Sequence, residues 1–153
     1  MPDDLPVSEF GFPGLLRDKL VAAILAGEKT STTGVHEEYV RTGDPVPAVG
    51  DRSRVIDSAG VSVAVIEATE VVVRRLGEVD LAFAIDEGEG FETVAQWREA
   101  HVRFFESPQL AEILGDPPVT IDDDTLVVCE RFRVVETSES RHGSGTDTFR
   151  LPQ

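Results

Sequence analysis

The stretch from Gly27 to Gly34, GEKTSTTG, is predicted to be a loop after a helix, and it concentrates side chains that could do chemistry. It carries one ammonium group and four hydroxyl groups, on Lys29, Thr30, Ser31, Thr32 and Thr33. A partly desolvated lysine can activate a neighbouring hydroxyl as a nucleophile, and this makes Lys29 and Thr32 the leading catalytic candidates. The other residues of the stretch are predicted to contact a polar ligand: Gly27, Thr30, Ser31, Thr33 and Gly34.

Plainer interpretations of the same stretch stay open. The ammonium group of Lys29 can satisfy the last carbonyls of the preceding helix and the negative end of its dipole. Serine and threonine are also common in loops and edge strands.

Acidic residues follow a predicted short helix further along the chain. Asp86 and Glu87 come just before Glu89, which has Gly88 and Gly90 on either side. A carboxylate on such a loop can act as a general base, and the glycines allow a backbone to approach a ligand closely. Glu89 is therefore a predicted ligand contact, and the alternative is a solvated helix end.

The pattern of potential metal ligands does not predict a metal site. His101 lies on the apolar face of its helix and is interpreted as a core histidine with one satisfied nitrogen. Cys129 is the single cysteine and is expected to be a buried structural thiol. No pair of histidines has zinc-ligand spacing, and the run Asp122 to Asp124 reads as a turn before a strand. No metal and no cofactor are expected.

The net charge of −15, from 29 acidic and 14 basic residues, limits the ligand. Affinity for long nucleic acids depends on lysine and arginine neutralising phosphates, so a nucleoside or a short unpaired RNA segment fits this charge better. The sequence has no apolar run of 18 residues and no secretory leader pattern, which predicts a cytoplasmic protein without a membrane partner. The oligomeric state is not predicted.

Hydrophobic periodicity predicts an α+β fold. The predicted elements are a helix at 14–26, a hairpin of strands at 53–58 and 61–76 with a bend at 67–69, helices at 79–88 and 92–107, and a final strand at 126–136. Pro108 is expected to end the last helix and to begin a loop that leads to the final strand. A small curved barrel flanked by helices fits this order. Residues 1–13 are predicted to be an extension anchored by Phe10 and Phe12, residues 14–136 the domain, and residues 137–153 a disordered tail.

Residues Leu15 to Val135 resemble the ASCH domain family, small proteins with a PUA-like β-barrel. The family signature is a helix followed by Gly, any residue, Lys, two residues, Glu or Thr, one residue and Arg. Here it reads Gly27, Lys29 and Thr32, with Gly34 where the arginine is expected. The segments VGDRSRV, VAVIEATEV, EGEG with WREAHVRFF, and VVCERFRVV resemble the longer bacterial branch. The resemblance implies a PUA-like mixed β-barrel flanked by helices.

The resemblance also implies a function. Family members include RNA-related proteins, some of which cleave single-stranded RNA, and hydrolases of N4-acetylcytidine that use a lysine, a threonine and a glutamate. Lys29 and Thr32 match by motif position, and Glu87 matches by its place after AID. The leading hypothesis is therefore an N4-acylcytidine amidohydrolase in which Thr32 attacks the acyl carbonyl, Lys29 activates Thr32 or stabilises the developing oxyanion, and Glu87 moves the proton to the leaving amine.

Two alternatives remain at this point. The same pocket can bind or cleave unpaired RNA, with phosphate contacts from Arg41, Arg52, Arg54, Arg74 and Arg75, or the domain can sense a nucleotide without changing it. Arginines clustered beside the pocket would favour RNA, whereas arginines dispersed among carboxylates would favour a nucleoside.

Overall fold

A five-stranded sheet organises the fold in the computed structural model, which describes residues 3–138. The strands are β1 (Val7–Ser8), β2 (Ser31–Val35), β3 (Arg52–Ile56), β4 (Ser62–Arg75) and β5 (Leu126–Thr137). Their spatial order is β1-β3-β4-β5-β2, with β1 parallel to β3 and every other pair antiparallel. The α+β class is confirmed.

The sheet does not close into the predicted β-barrel. The strands β1 and β2 lie at opposite edges of the sheet and do not pair with each other, so the sheet is open. The two residues of β1 offer too short an edge to close it. Helices cover the two faces of the sheet instead, which is the other way to bury an apolar sheet.

Five α-helices and one short 3-10 helix are present between residues 3 and 138. They are α1 (Leu15–Leu25), α2 (His36–Thr42), α3 (Leu81–Asp86), α4 (Val94–Phe105) and α5 (Pro108–Leu114), with the 3-10 helix at Leu76–Glu78. None of these helices is long and apolar enough to span a membrane.

Two hydrophobic clusters lie on opposite faces of the sheet. On one face, Leu20, Val21 and Ile24 of α1 pack with Phe10 and Phe132. We call this side the α1 face. On the other, side chains from α3, α4 and α5 pack around Trp97, with Val35, Val127 and Cys129 beneath them, and we call it the α4 face. Cys129 is buried and free, as the sequence predicted.

The structure contains three predicted features: the β3–β4 hairpin, the bend in β4 and the final strand. The register between β4 and β5 shifts between Ala68 and Glu70, so Thr69 is an extra residue where the bend was expected. Phe10 is buried, and the Phe12 ring lies 5.5 Å from that of Phe104, so both anchor the N-terminal segment.

Two expectations about elements are wrong. Residues 31–35 form the edge strand β2 and not a loop, because all five pair with β5. Pro108 does not open a loop but begins α5, with Ser107 as the N-cap accepting a hydrogen bond from the Leu110 amide. Proline suits the first helical position, where its missing N–H is not needed.

The predicted tail lies almost wholly outside the described residues, which end at Ser138. The strand β5 continues to Thr137, which pairs with Ala64, one residue past the expected end of the domain.

Candidate functional site

The end of α1 positions Lys29. Gly27 adopts the left-handed conformation with φ +80°, and the amides of Gly27 and Glu28 donate to the carbonyls of Ile24 and Ala23. This is the hydrogen-bond pattern of a Schellman cap, so the helix ends at the glycine as predicted. The cap turns the chain inwards, and the Lys29 side chain is only 2% exposed.

Lys29 uses all three of its ammonium hydrogens. Its Nζ lies 2.8 Å from the Ser31 carbonyl oxygen, 3.3 Å from the Glu87 carbonyl oxygen and 3.4 Å from Glu87 Oε1. An ammonium group has three donors, so no hydrogen remains for a substrate.

The end of α3 brings Glu87 against this lysine. The Thr30 amide donates to the Asp86 carbonyl at 2.7 Å, which ties the two segments together. Gly88 has φ +73°, and a Cβ there would lie 2.6 Å from the Glu28 carbonyl oxygen and 2.7 Å from Lys29 Cα. Only glycine permits this approach.

The Glu87 carboxylate has three further partners, two from α4 and one from β2. Trp97 Nε1 of α4 donates to Oε2 at 2.8 Å, and Thr33 Oγ1 of β2 donates to the same oxygen at 2.7 Å. His101 Nε2 lies 3.2 Å from Oε1, while its Nδ1 donates to the Trp97 carbonyl at 2.9 Å. We call Lys29, Thr33, Glu87, Trp97 and His101 the Glu87 cluster.

The charges of this cluster follow from its contacts. Burial alone would raise the pKa of Glu87, but Lys29, His101 and Thr33 outweigh it and lower that pKa to about 2. Burial lowers the pKa of His101, whereas its hydrogen bond to Glu87 and the Glu87 charge raise it more, so the net shift is upward. A carboxylate held this strongly in its charged form is a poor proton acceptor.

Thr32 lies on the opposite face of the sheet from Thr33. Successive side chains of a strand alternate between faces, and Ser31 and Thr33 point towards α3, where they bond Phe83 and Glu87. Thr32 therefore faces away from the Glu87 cluster, and it has no hydrogen bond to Lys29 or Glu87. The structure brings Lys29 and Glu87 together, but it does not bring Thr32 to them.

Thr32 has different neighbours on the α1 face. It pairs directly across the strands with Glu130, which lies two residues from the α1-face core residue Phe132. Tyr39 of α2 reaches the same face, because a Cβ at Gly34 would lie 3.5 Å from its hydroxyl. We call Thr32, Tyr39 and Glu130 the Thr32 cluster. All three residues are half-buried.

The Thr32 cluster is surrounded by negative charge. Burial raises the pKa of Glu130 to about 7, with a further contribution from Asp51. Burial and the charges of Glu130, Glu38 and Asp44 raise the pKa of Tyr39 to about 12. Within residues 3–138, none of these four carboxylates forms an ion pair with a lysine or arginine.

The other predicted contact residues have structural partners or stay at the surface. Ser31 is buried with its hydroxyl donating to the Phe83 carbonyl at 3.1 Å, and Thr30 Oγ1 lies 3.5 Å from the Asp86 carbonyl. Glu89 is exposed. Whether any of the predicted site residues contacts a ligand stays a prediction.

One group of potential metal ligands is present between residues 3 and 138. Oxygen or nitrogen atoms of Glu87, Glu89 and His101 lie within 4.8 Å of one another. The Lys29 ammonium already neutralises Glu87, and it would repel a dication there. The electrostatics of the cluster do not favour a metal.

A cavity on the α4 face is small. It has a volume of about 100 Å³ and lies between the sheet and α3, with Phe83 and Cys129 in its wall. Ligand pockets usually measure roughly 300–1,000 Å³, so this cavity is too small for a nucleoside without movement.

The five arginines considered for RNA are dispersed. Three of them form ion pairs: Arg41 with Glu37, Arg52 with Glu67, and Arg75 with Glu78 and Asp124. Arg41 also donates to three carbonyls, and Arg54 donates to the Leu5 carbonyl and the Ser62 hydroxyl. Arg74 lies beside Cys129. They do not form one basic surface.

The sequence did not single out Tyr39, Trp97 or Glu130 as site residues. The four-residue spacing of Trp97 and His101 shows that they share a helix face, but it gives no sign of the carboxylate between them and Lys29. His101 has partners for both nitrogens and not one. The position of Glu130 opposite Thr32 depends on a pairing across 98 residues of sequence, which no local pattern encodes.

The chain belongs to the ASCH domain family, whose model matches residues 7–136. An ASCH domain from Lactobacillus crispatus JV V101 is 31% identical, with a TM-score of 0.71, over 85% of this chain and 80% of that one. A protein from Enterococcus faecalis V583 is 26% identical, with a TM-score of 0.76, over 95% of this chain and 86% of that one. No curated protein matches significantly. The resemblance inferred from the sequence is confirmed.

Proposed function

We propose that this protein hydrolyses the N4-acyl amide of a small modified nucleoside of the N4-acetylcytidine type, with Thr32 as the attacking hydroxyl. The observation that carries the proposal is the environment of Thr32. Its hydroxyl has no hydrogen-bond partner within the described chain, and the carboxylates around it lack ion-pair partners. Such a site would not repel an uncharged nucleoside, whereas it would repel the phosphates of RNA.

Lys29 and Glu87 act as positioning residues in this proposal. Their contacts fix the segment between α1 and β2 to the end of α3, and this holds β2 and its Thr32 in place. The proposal keeps the substrate class and the nucleophile inferred from the sequence. It changes the roles of the lysine and the glutamate, because the Lys29 ammonium already has three partners and the Glu87 carboxylate is bonded on the face of the sheet opposite Thr32.

The RNA alternative has less support. Four of the five arginines that were to contact phosphates, Arg41, Arg52, Arg54 and Arg75, are bound to carboxylates or carbonyls at separate places. With a net charge of −15, the chain also opposes approach of a polyanion at low salt.

The test is an assay of the purified protein with N4-acetylcytidine, following release of cytidine by chromatography. Two neighbouring variants separate the faces of the sheet. Thr32→Val keeps a β-branched side chain without the hydroxyl and should lower turnover by at least about 100-fold, as loss of a nucleophile does. Thr33→Val removes one of the donors to Glu87 on the other face and should lower turnover far less than Thr32→Val does, with circular dichroism to show that it is folded.

A single-stranded RNA oligonucleotide is the comparison substrate. No cytidine release by the wild type, or equal rates for wild type and Thr32→Val, contradicts the proposal. Cleavage of the oligonucleotide would instead support the ribonuclease alternative, and binding of cytidine without turnover would support a nucleotide sensor.

A further inference from the structure

We infer that Glu130 is the proton-transfer group of the Thr32 cluster and that Tyr39 donates a hydrogen bond to the acyl oxygen of the substrate. This inference rests on the proposed function and supplies the proton acceptor that the Glu87 cluster cannot provide to Thr32.

Strand pairing places Glu130 within reach of Thr32. The two residues are direct cross-strand partners in the antiparallel β2–β5 pair. Side chains of such partners project from the same face with Cβ atoms about 5 Å apart. The longer glutamate side chain can therefore bring its carboxyl group to the threonine hydroxyl.

The turn from β2 into α2 places Tyr39. The helix begins at His36, directly after Val35 ends the strand, so Tyr39 folds back towards it. Its hydroxyl lies beside Gly34, two residues from Thr32 and on the same face, at 3.5 Å from the position of a Cβ there. A larger side chain at residue 34 would point at this hydroxyl.

The polar groups of the cluster have no partners of their own. Between residues 3 and 138, no hydrogen bond joins the side chains of Thr32, Tyr39 or Glu130 to another group. Half-buried polar groups usually find partners within the protein or in solvent. In the Glu87 cluster, by contrast, every polar side chain is bonded. The polar groups of the Thr32 cluster are therefore free to bond a ligand or solvent, whereas those of the Glu87 cluster bond one another.

The protonation states suit the two roles. The pKa of Glu130 is about 7, raised by burial and by Asp51, so it can accept and return a proton near neutral pH. The pKa of Tyr39 is about 12, so its hydroxyl keeps its hydrogen and can donate to an oxyanion. The charged groups that act on the pair are Asp51, Glu38 and Asp44.

The reaction balances with these groups and water. Thr32 Oγ bonds to the acyl carbon while its proton passes to the Glu130 carboxylate. Glu130 then gives that proton to N4 as the carbon–nitrogen bond breaks, which releases cytidine and leaves an acyl ester on Thr32. Water attacks the ester, its proton returns through Glu130 to Thr32 Oγ, and the carboxylic acid leaves.

The kinetic test compares Glu130→Gln, Tyr39→Phe and the surface control Glu112→Gln. Glu130→Gln should lower kcat/KM by about 100- to 10,000-fold, as removal of a general base does. The wild-type kcat/KM should rise with pH to a plateau above about pH 7, and that rise should vanish in Glu130→Gln. Tyr39→Phe should lower kcat by about 10- to 1,000-fold. Glu112→Gln should be unchanged, because Glu112 is exposed on α5.

A carboxyl carbon NMR titration tests the site without turnover. The resonance of Glu130, assigned by its loss in Glu130→Gln, should titrate near pH 7 and should shift on addition of cytidine. Wild-type turnover with an equally active, folded Glu130→Gln overturns this inference and leaves the proposed function standing. Absence of wild-type turnover overturns the proposed function, and a Glu130 resonance that ignores cytidine then overturns this inference as well.

Discussion

Lys29 and Glu87 form an ion pair from which water is almost excluded, since 2% of each side chain is exposed. Removing one partner of such a pair leaves the other charge buried and uncompensated. The pair therefore matters more for folding than for chemistry.

Substitution of Lys29 should destabilise the fold. Lys29→Met is expected to lower the free energy of unfolding by about 3–5 kcal/mol, because it strands the Glu87 carboxylate. Urea denaturation measures the change. The matched control is Lys19→Met on the exposed side of α1, which should cost less than about 0.5 kcal/mol. The double variant Lys29→Met with Glu87→Gln should recover part of the loss, and a single variant as stable as wild type would contradict the argument.

Glu87 should make the protein sensitive to acid. Its pKa falls from 4.5 to about 2 on folding, so the unfolded chain binds the proton more tightly. The stabilisation, about 3 kcal/mol, is present above pH 4.5 and is lost as the pH falls towards 2. Urea denaturation from pH 7 to pH 2.5 should show a weaker pH dependence for Glu87→Gln than for wild type. Parallel curves would refute this.

His101 should affect the pH dependence of stability in the opposite direction to Glu87. Its pKa is raised above 6.5 on folding, so its stabilisation is present below pH 6.5 and is lost as the pH rises through the folded value. Imidazole NMR should show His101 titrating above pH 6.5, and the titration point should fall in Glu87→Gln. A His101 that titrates below 6.5 in the wild type would show that burial outweighs the charge of Glu87.

At the scale of elements, the contact between the end of α3 and the end of α1 positions the Glu87 cluster. It depends on two glycines with different demands. Gly27 needs its left-handed conformation to end α1, whereas Gly88 needs both that conformation and the absence of a side chain.

Two glycine substitutions separate conformational strain from steric clash. Gly88→Ala and Gly90→Ala both place alanine at positive φ, +73° and +83°, which costs about 1 kcal/mol in each. Only the Gly88 Cβ meets backbone, at 2.6 Å from the Glu28 carbonyl. Thermal denaturation should therefore show a clearly larger loss for Gly88→Ala. Equal losses would mean that the α1–α3 contact relaxes without cost.

At the scale of the whole molecule, the part of the chain needed for folding should end close to Ser138. Truncation after Ser138 should leave stability and activity unchanged, because residues 139–153 contain few apolar side chains. A cut after Glu136 is less suitable, since Thr137 still pairs with Ala64. Activity and urea denaturation of the truncated chain check this, and a folded but inactive product would place part of the site beyond residue 138.

The sequence by itself determined several of the local elements and the family. Gly27 had to end α1, the alternating residues of 61–76 had to form a strand, and the spacing of Gly27, Lys29 and Thr32 indicated the ASCH domain. These features depend on backbone preferences and on periodicity over a few residues.

Only the tertiary structure decided which face each side chain of residues 29–34 occupies. The hydroxyl-rich stretch became a strand because it pairs with β5, nearly a hundred residues later, and pairing fixes the register. A strand places neighbouring residues on opposite faces, so Thr33 bonds Glu87 on one face while Thr32 lies opposite Glu130 on the other. The sequence also could not predict whether the sheet closes, because closure depends on whether distant edge strands such as β1 and β2 can pair.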